Sequence, residues 1–127
     1  MFELIMFILV VDDLRLFGDT FHGMPIKYAV TSKEALDILE SEFHDVAEVW
    51  LDHDLGMFGE IADEVTPVIY WLEEKGHNEQ ANHVYCIRVL TSNPVGAQKI
   101  AMLSRYYFIG ATVTHHKLRN EEEEAVN

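Results

Sequence analysis

Short apolar runs that end abruptly in charge constrain this chain more than any other feature. "FILVV" is followed by Asp12 and Asp13, "VAEVWL" by Asp52, His53 and Asp54, and "HVYCIRVL" by Thr91, Ser92 and Asn93. Continuous apolar runs of this length predict strands buried on both faces, as in the middle of a parallel sheet. The first run begins "MFELIM", but Glu3 interrupts it and Asp12 closes it, well short of the ~20 apolar residues a bilayer span needs. It also lacks a basic leading segment and a small-residue cleavage site, so a cytoplasmic protein with no membrane association is expected.

Between these runs the period changes. "TSKEALDILESEF" predicts a helix opened by a capping box, Thr31 with Glu34, and turned inward through Ala35, Leu36, Ile38 and Leu39. "EVTPVIYWLEEKGH" predicts a second helix from near Asp63, with Pro67 in its first turn, Val65, Val68, Ile69 and Leu72 facing inward, and Gly76 as its stop. Asn93 and Pro94 open a third, through "VGAQKIAMLSRYY". "IKYAV" at 26–30 and "ATVTHH" at 111–116 supply two further strands. The stretch "DDLRLFGDTFHGMP" between the first two strands is just long enough for a parallel crossover holding a short irregular helix. Strand and helix in alternation predict an α/β fold: one doubly wound domain whose five-stranded, mainly parallel sheet runs in the order 2-1-3-4-5.

The chain has 127 residues, of which 49% are hydrophobic, enough for one core, and shows no internal repeat. We place this domain at 1–118 and an acidic disordered tail at 119–127, where Glu121 to Glu124 form a like-charge run with no apolar face. Nine basic against 22 acidic residues give a net charge of −13, which opposes nonspecific DNA binding. The single cysteine, Cys86, excludes an intramolecular disulfide and reads as a buried, inert thiol; Trp50 and Trp71 read as core.

In open parallel sheets, ligands bind beyond the carboxyl ends of the strands where strand order reverses. That rule gathers Asp12 and Asp13, Asp52 to Asp54, and Thr91 to Asn93 at one rim, with the third helix's N-terminal amides available to an anion. Three strings there, "VDDLR" at 11–15, "LDHDLG" at 51–56 and "NPVG" at 93–96, occur in the order found in the cyclic-phosphate processing receiver-like family. Over about residues 8 to 105 the chain resembles that family, and with it the wider receiver (flavodoxin-like) architecture. The resemblance implies handling of cyclic or terminal phosphates of nucleotides or RNA ends. Where the family's pattern has a histidine before the strand-four hydroxyl, this chain has Leu90; His115 or His116 is the available substitute, although solvent exposure suits both better.

Metal-dependent phosphoester chemistry fits these residue types, because magnesium prefers carboxylates and water. Asp12, Asp13 and Asp52 are the candidate Mg²⁺ ligands; His53 is the candidate proton carrier, with Asp54 orienting it or binding metal. Thr91 is a candidate catalytic hydroxyl, and Arg15, Ser92 and Asn93 are candidate phosphate contacts. Each has a structural alternative: the aspartates as turn formers, His53 as a satisfied buried histidine, Arg15 as local charge balance and Asn93 as a helix cap. Two other functions remain open. A phospho-accepting signalling receiver would use the same acidic pair. A noncatalytic acidic protein would bind and modulate a partner through a basic surface on that partner, and Leu90 together with the net charge of −13 points that way.

Overall fold

The computed structural model describes residues 5–108 and 110–115; the expected domain boundary, the acidic tail, His116 and Lys117 lie outside them. The apolar runs become strands as their patterning requires. β1 (Phe7–Val11) and β4 (Val46–Leu51) are buried along their whole length. β3 (Met24–Ala29), β7 (Cys86–Val89) and β8 (Thr112–His115) complete the parallel set. The sheet has six strands rather than five, because a two-residue β2 (Thr20–Phe21) pairs antiparallel with β3 at one edge. The order is β2-β3-β1-β4-β7-β8, so the parallel strands alone run in the expected sequence.

The connection from β1 to β3 corrects one expectation. It carries no helix; it forms β2 and a tight turn at His22 and Gly23, both at positive φ (50° and 80°). Two consecutive positive φ angles make the mirror-image turn whose twist matches a hairpin. This has a consequence for the whole architecture. The buried residues of α1 (Ser32–Glu42), α2 (Thr66–His77) and α3 (Pro94–Tyr106) all join one core with Phe7, Leu9 and Val11. Ile8 and Val10, pointing the other way, pack with Trp50 and Leu90 beneath Phe17 and Phe21 of the connecting loop. Among the described residues the helices therefore cover one face only, in place of the expected winding on both.

Local signals set the helix ends. Thr31 Oγ1 accepts the Glu34 amide at 3.1 Å, while Glu34 reaches back to the Val30 amide at 3.3 Å, a capping box displaced by one residue. α2 starts at Thr66 rather than near Asp63, because 61–64 is taken by a hairpin of β5 (Asp54–Phe58) and β6 (Ile61–Glu64) that the patterning did not predict. Gly76 is not the helix stop: α2 runs through it to His77, and a Cβ there would collide with the backbone carbonyl of Tyr107. Trp50 is fully buried as expected, whereas Trp71 is half-buried, edge-on to Phe43 with Lys75 over its ring. Cys86 is buried, and burial pushes its thiol pKa up, in keeping with an inert group. No described helix is long and apolar enough to cross a membrane.

Candidate functional site

Strand alternation places the first site. Asp12 follows Ile8 and Val10 on the helix-free side of β1, and Asp52 follows Trp50 on β4, its amide bonded to the Val11 carbonyl at 2.9 Å. Asp12 is 2% exposed, so its charge must be compensated. Its Oδ1 accepts the amides of Leu14 (2.9 Å) and Arg15 (3.2 Å), and its Oδ2 accepts Arg15 Nη1 at 2.7 Å. Arg15 Nη1 also lies 3.5 Å from Asp52 Oδ2. Although Asp13 is the next residue, the chain turns after Asp12 and brings it back to the same side. Carboxylate oxygens of Asp12, Asp13 and Asp52 all lie within 4.8 Å of one another. Gly56 makes room for this: its φ is +76°, and a Cβ there would stand 2.6 Å from Asp13 Oδ2.

Three carboxylates and one guanidinium leave the cluster short of positive charge. Burial, and then the Asp12 charge, raise the Asp52 pKa to about 6, partly offset by Arg15. Burial alone would lower the Arg15 pKa, but its hydrogen bond to Asp12 and the charges of Asp12 and Asp52 outweigh that and raise it. A hard divalent cation fits this all-oxygen donor set.

His53 goes elsewhere. It points away from Asp52, as successive strand residues do, and packs under the first turn of α3, where a Cβ on Gly96 would stand 2.5 Å from its Cγ. The ring is 5% exposed; Nδ1 lies 3.1 Å from Asp54 Oδ1, and Nε2 is buried without a hydrogen-bond partner among the described residues. Asp54 and Glu64, both exposed on the hairpin, complete a second group with ligand atoms within 4.8 Å of one another. The rim thus divides into an Asp12–Asp13–Asp52–Arg15 cluster and a His53–Asp54–Glu64 cluster.

With two of the three sequence motifs supplying these clusters and the third opening α3, the comparison with known families is decisive. Residues 7–105 match the cyclic-phosphate processing receiver domain. The chain belongs to that family. No curated protein and no solved structure matches it.

In this cyclic-phosphate processing receiver domain the loop between β7 and α3 is occupied with its own backbone. Thr91 Oγ1 accepts the Asn93 amide at 3.1 Å, and Asn93 Oδ1 accepts the amides of Val95 (3.1 Å) and Gly96 (3.4 Å), capping α3. Ser92 is exposed beside them. Leu90 is fully buried against Ile8, Val10 and Trp50, so the position that carries a histidine in the family pattern is packed in core here. His115 ends β8 exposed; His116 is outside the described residues. Glu64, Gly56 and Gly96 were missed from the sequence. The two glycines were signalled only by their place inside the motifs, and Glu64 by nothing local, since the β5–β6 hairpin alone brings it to His53.

Proposed function

We propose that this domain binds the phosphate of a cyclic- or terminal-phosphate nucleotide or RNA end through a magnesium ion held by Asp12, Asp13 and Asp52. The convergence of those three carboxylates at the strand ends carries the reading. Arg15, tied to Asp12 and Asp52, is partly exposed and has a planar fork free to turn to a phosphate oxygen. Bound magnesium supplies charge neutralisation for carboxylates and phosphate together. Hydrolysis of the cyclic ester would further need a proton carrier, and the covered Nε2 of His53 favours binding over turnover.

Calorimetry with a 2′,3′-cyclic nucleotide tests this. Binding that requires magnesium and disappears in Asp52→Asn supports the reading; equal binding without magnesium overturns it. Release of the ring-opened phosphate during the titration would add hydrolysis to binding.

A second reading, a noncatalytic domain that docks on a partner with a basic surface, is favoured by Leu14 and Leu16. These flank Arg15 and are 84% and 82% exposed, an apolar pair beside an acidic cluster. Capture of a partner that weakens with salt and survives Asp52→Asn supports this reading over the first.

A further inference from the structure

The face of the sheet without helices carries a cation that the described residues leave unmatched. Arg88 lies on β7, in register with Trp50 on one side and Thr114 on the other. Its guanidinium carbon stands 4.4 Å from the Trp50 ring centre and 5.2 Å from that of Phe21. Among the described residues it forms no ion pair, as is also true of Lys75, Lys99 and Arg105, but of these four only Arg88 has a buried donor without a partner. Its Nε is buried with no hydrogen-bond partner among the described residues, although the residue as a whole is partly exposed. A guanidinium with a covered donor that has escaped every described carboxylate, in a chain of net charge −13, calls for an explanation.

The cation–π contact supplies half of it. The indole face meets the guanidinium's charge without accepting its N–H bonds, so those donors remain to be matched. The covered Nε leaves the guanidinium's charge incompletely compensated, and an anion at the accessible part of the side chain would compensate it. Position supplies the rest. Asp52 is two residues beyond Trp50, the register partner of Arg88, on the same face. That places the Arg88 and Asp52 backbones about 8 Å apart, from a strand rise near 3.3 Å and a strand spacing near 4.8 Å.

We propose that Arg88 forms an anion subsite for a second phosphate of the ligand whose cyclic or terminal phosphate sits at Asp12, Asp13 and Asp52. This rests on the binding function proposed above. The ligand class is then a nucleotide with two separated phosphates, such as an RNA 3′ end whose last internucleotide phosphate precedes a cyclic one. Trp50 holds the guanidinium from below and Phe21 closes its edge, so the subsite is rigid before the ligand arrives.

The test uses the full chain with magnesium and two ligands, adenosine 2′,3′-cyclic phosphate with and without a 5′-phosphate. The 5′-phosphate should tighten binding about tenfold, the scale of one charge-assisted contact. Arg88→Gln should abolish that gain and leave the other ligand's affinity unchanged, and Arg88→Lys should restore part of it. No gain in the parent protein, or equal weakening of both ligands by Arg88→Gln, overturns the subsite. If neither ligand binds, the magnesium reading has failed, and a second measurement decides Arg88 alone. Its Nε–H resonance, identified by its loss in Arg88→Gln, should move on titration with inorganic phosphate without magnesium; no movement overturns the proposal. The same resonance should be unmoved in a chain with Glu121, Glu122, Glu123 and Glu124 all changed to Gln. Movement there would show the acidic run already occupying the guanidinium and would also overturn it.

Discussion

On one side of the sheet Leu9, Val49 and Ile87 sit side by side under three helices; on the other, their strand neighbours Val10, Trp50 and Arg88 lie under a loop. The helix-covered face buries hydrocarbon almost exclusively. The loop-covered face buries Glu48 as well, with Oε1 accepting Trp50 Nε1 at 2.9 Å and Oε2 accepting the Tyr85 hydroxyl at 3.0 Å. Burial together with Glu48 pushes Tyr85 up to about 12. Asp12, Asp52, Arg15 and Arg88 belong to this second face too. The difference teaches that apolar and polar burial are largely segregated across one sheet: the helix side carries hydrophobic stabilisation, and the loop side carries buried polar and charged groups that need partners.

The largest expected effect tests the helix side. Leu72→Ala, at a fully buried position in the helix-side core, should cost about 2–5 kcal/mol in urea unfolding. A loss near zero would mean that this face is not the stabilising one. Next comes the polar side, where Glu48→Ala strands the Trp50 Nε1–H and should cost about 2 kcal/mol, while Glu48→Gln retains an acceptor and should cost less. Equal losses in the two variants would show that packing, not hydrogen bonding, holds Glu48.

Asp52 tests whether the loop side trades stability for charge. Its folded pKa, about 6, lies above its ordinary value, so the folded state holds the proton more tightly than the unfolded chain does. Its stabilising contribution is present in full below about pH 4 and is lost as pH rises through 6. Asp52→Asn should therefore gain about 1–2 kcal/mol at pH 8 without magnesium and flatten this part of the pH profile. Magnesium should stabilise the parent above pH 6 and not the variant; a parent profile indifferent to magnesium would break the contrast. The smallest effect belongs to neither face. Asn93→Ala should remove the α3 cap and cost about 1 kcal/mol, with magnesium binding intact. A loss of magnesium response there would tie the β7–α3 loop to the carboxylate cluster.

Much of the site was legible because charge closing an apolar strand is a local signal. β1 and β4 end where Asp12 and Asp52 stop the hydrophobic run, and their convergence follows from the parallel order. The grouping of Asp52, His53 and Asp54 as one site was less sound, since a period of two already points Asp52 and His53 to opposite sides. Asp13 shows the converse, because a turn rather than the strand period returns it to Asp12. The β5–β6 hairpin was hidden for a different reason: Leu55 is buried while Met57 and Ile61 are exposed, so no regular alternation marks it.

By itself the sequence determined where β4, α1 and α3 begin, because burial period, capping and turn chemistry act over a few neighbouring residues. It also determined the family, through motifs spread from Asp12 to Gly96. Which side of the sheet each helix covers was decided only by the tertiary structure. An amphipathic stripe specifies that a helix must bury one side, and is satisfied equally by either face of a sheet. The same holds for His53 and Arg88, whose partners come from strands and loops distant in the chain. Their chemistry is set by what folding brings over them: a helix turn above the histidine, and two aromatic rings beside an arginine left without a described carboxylate.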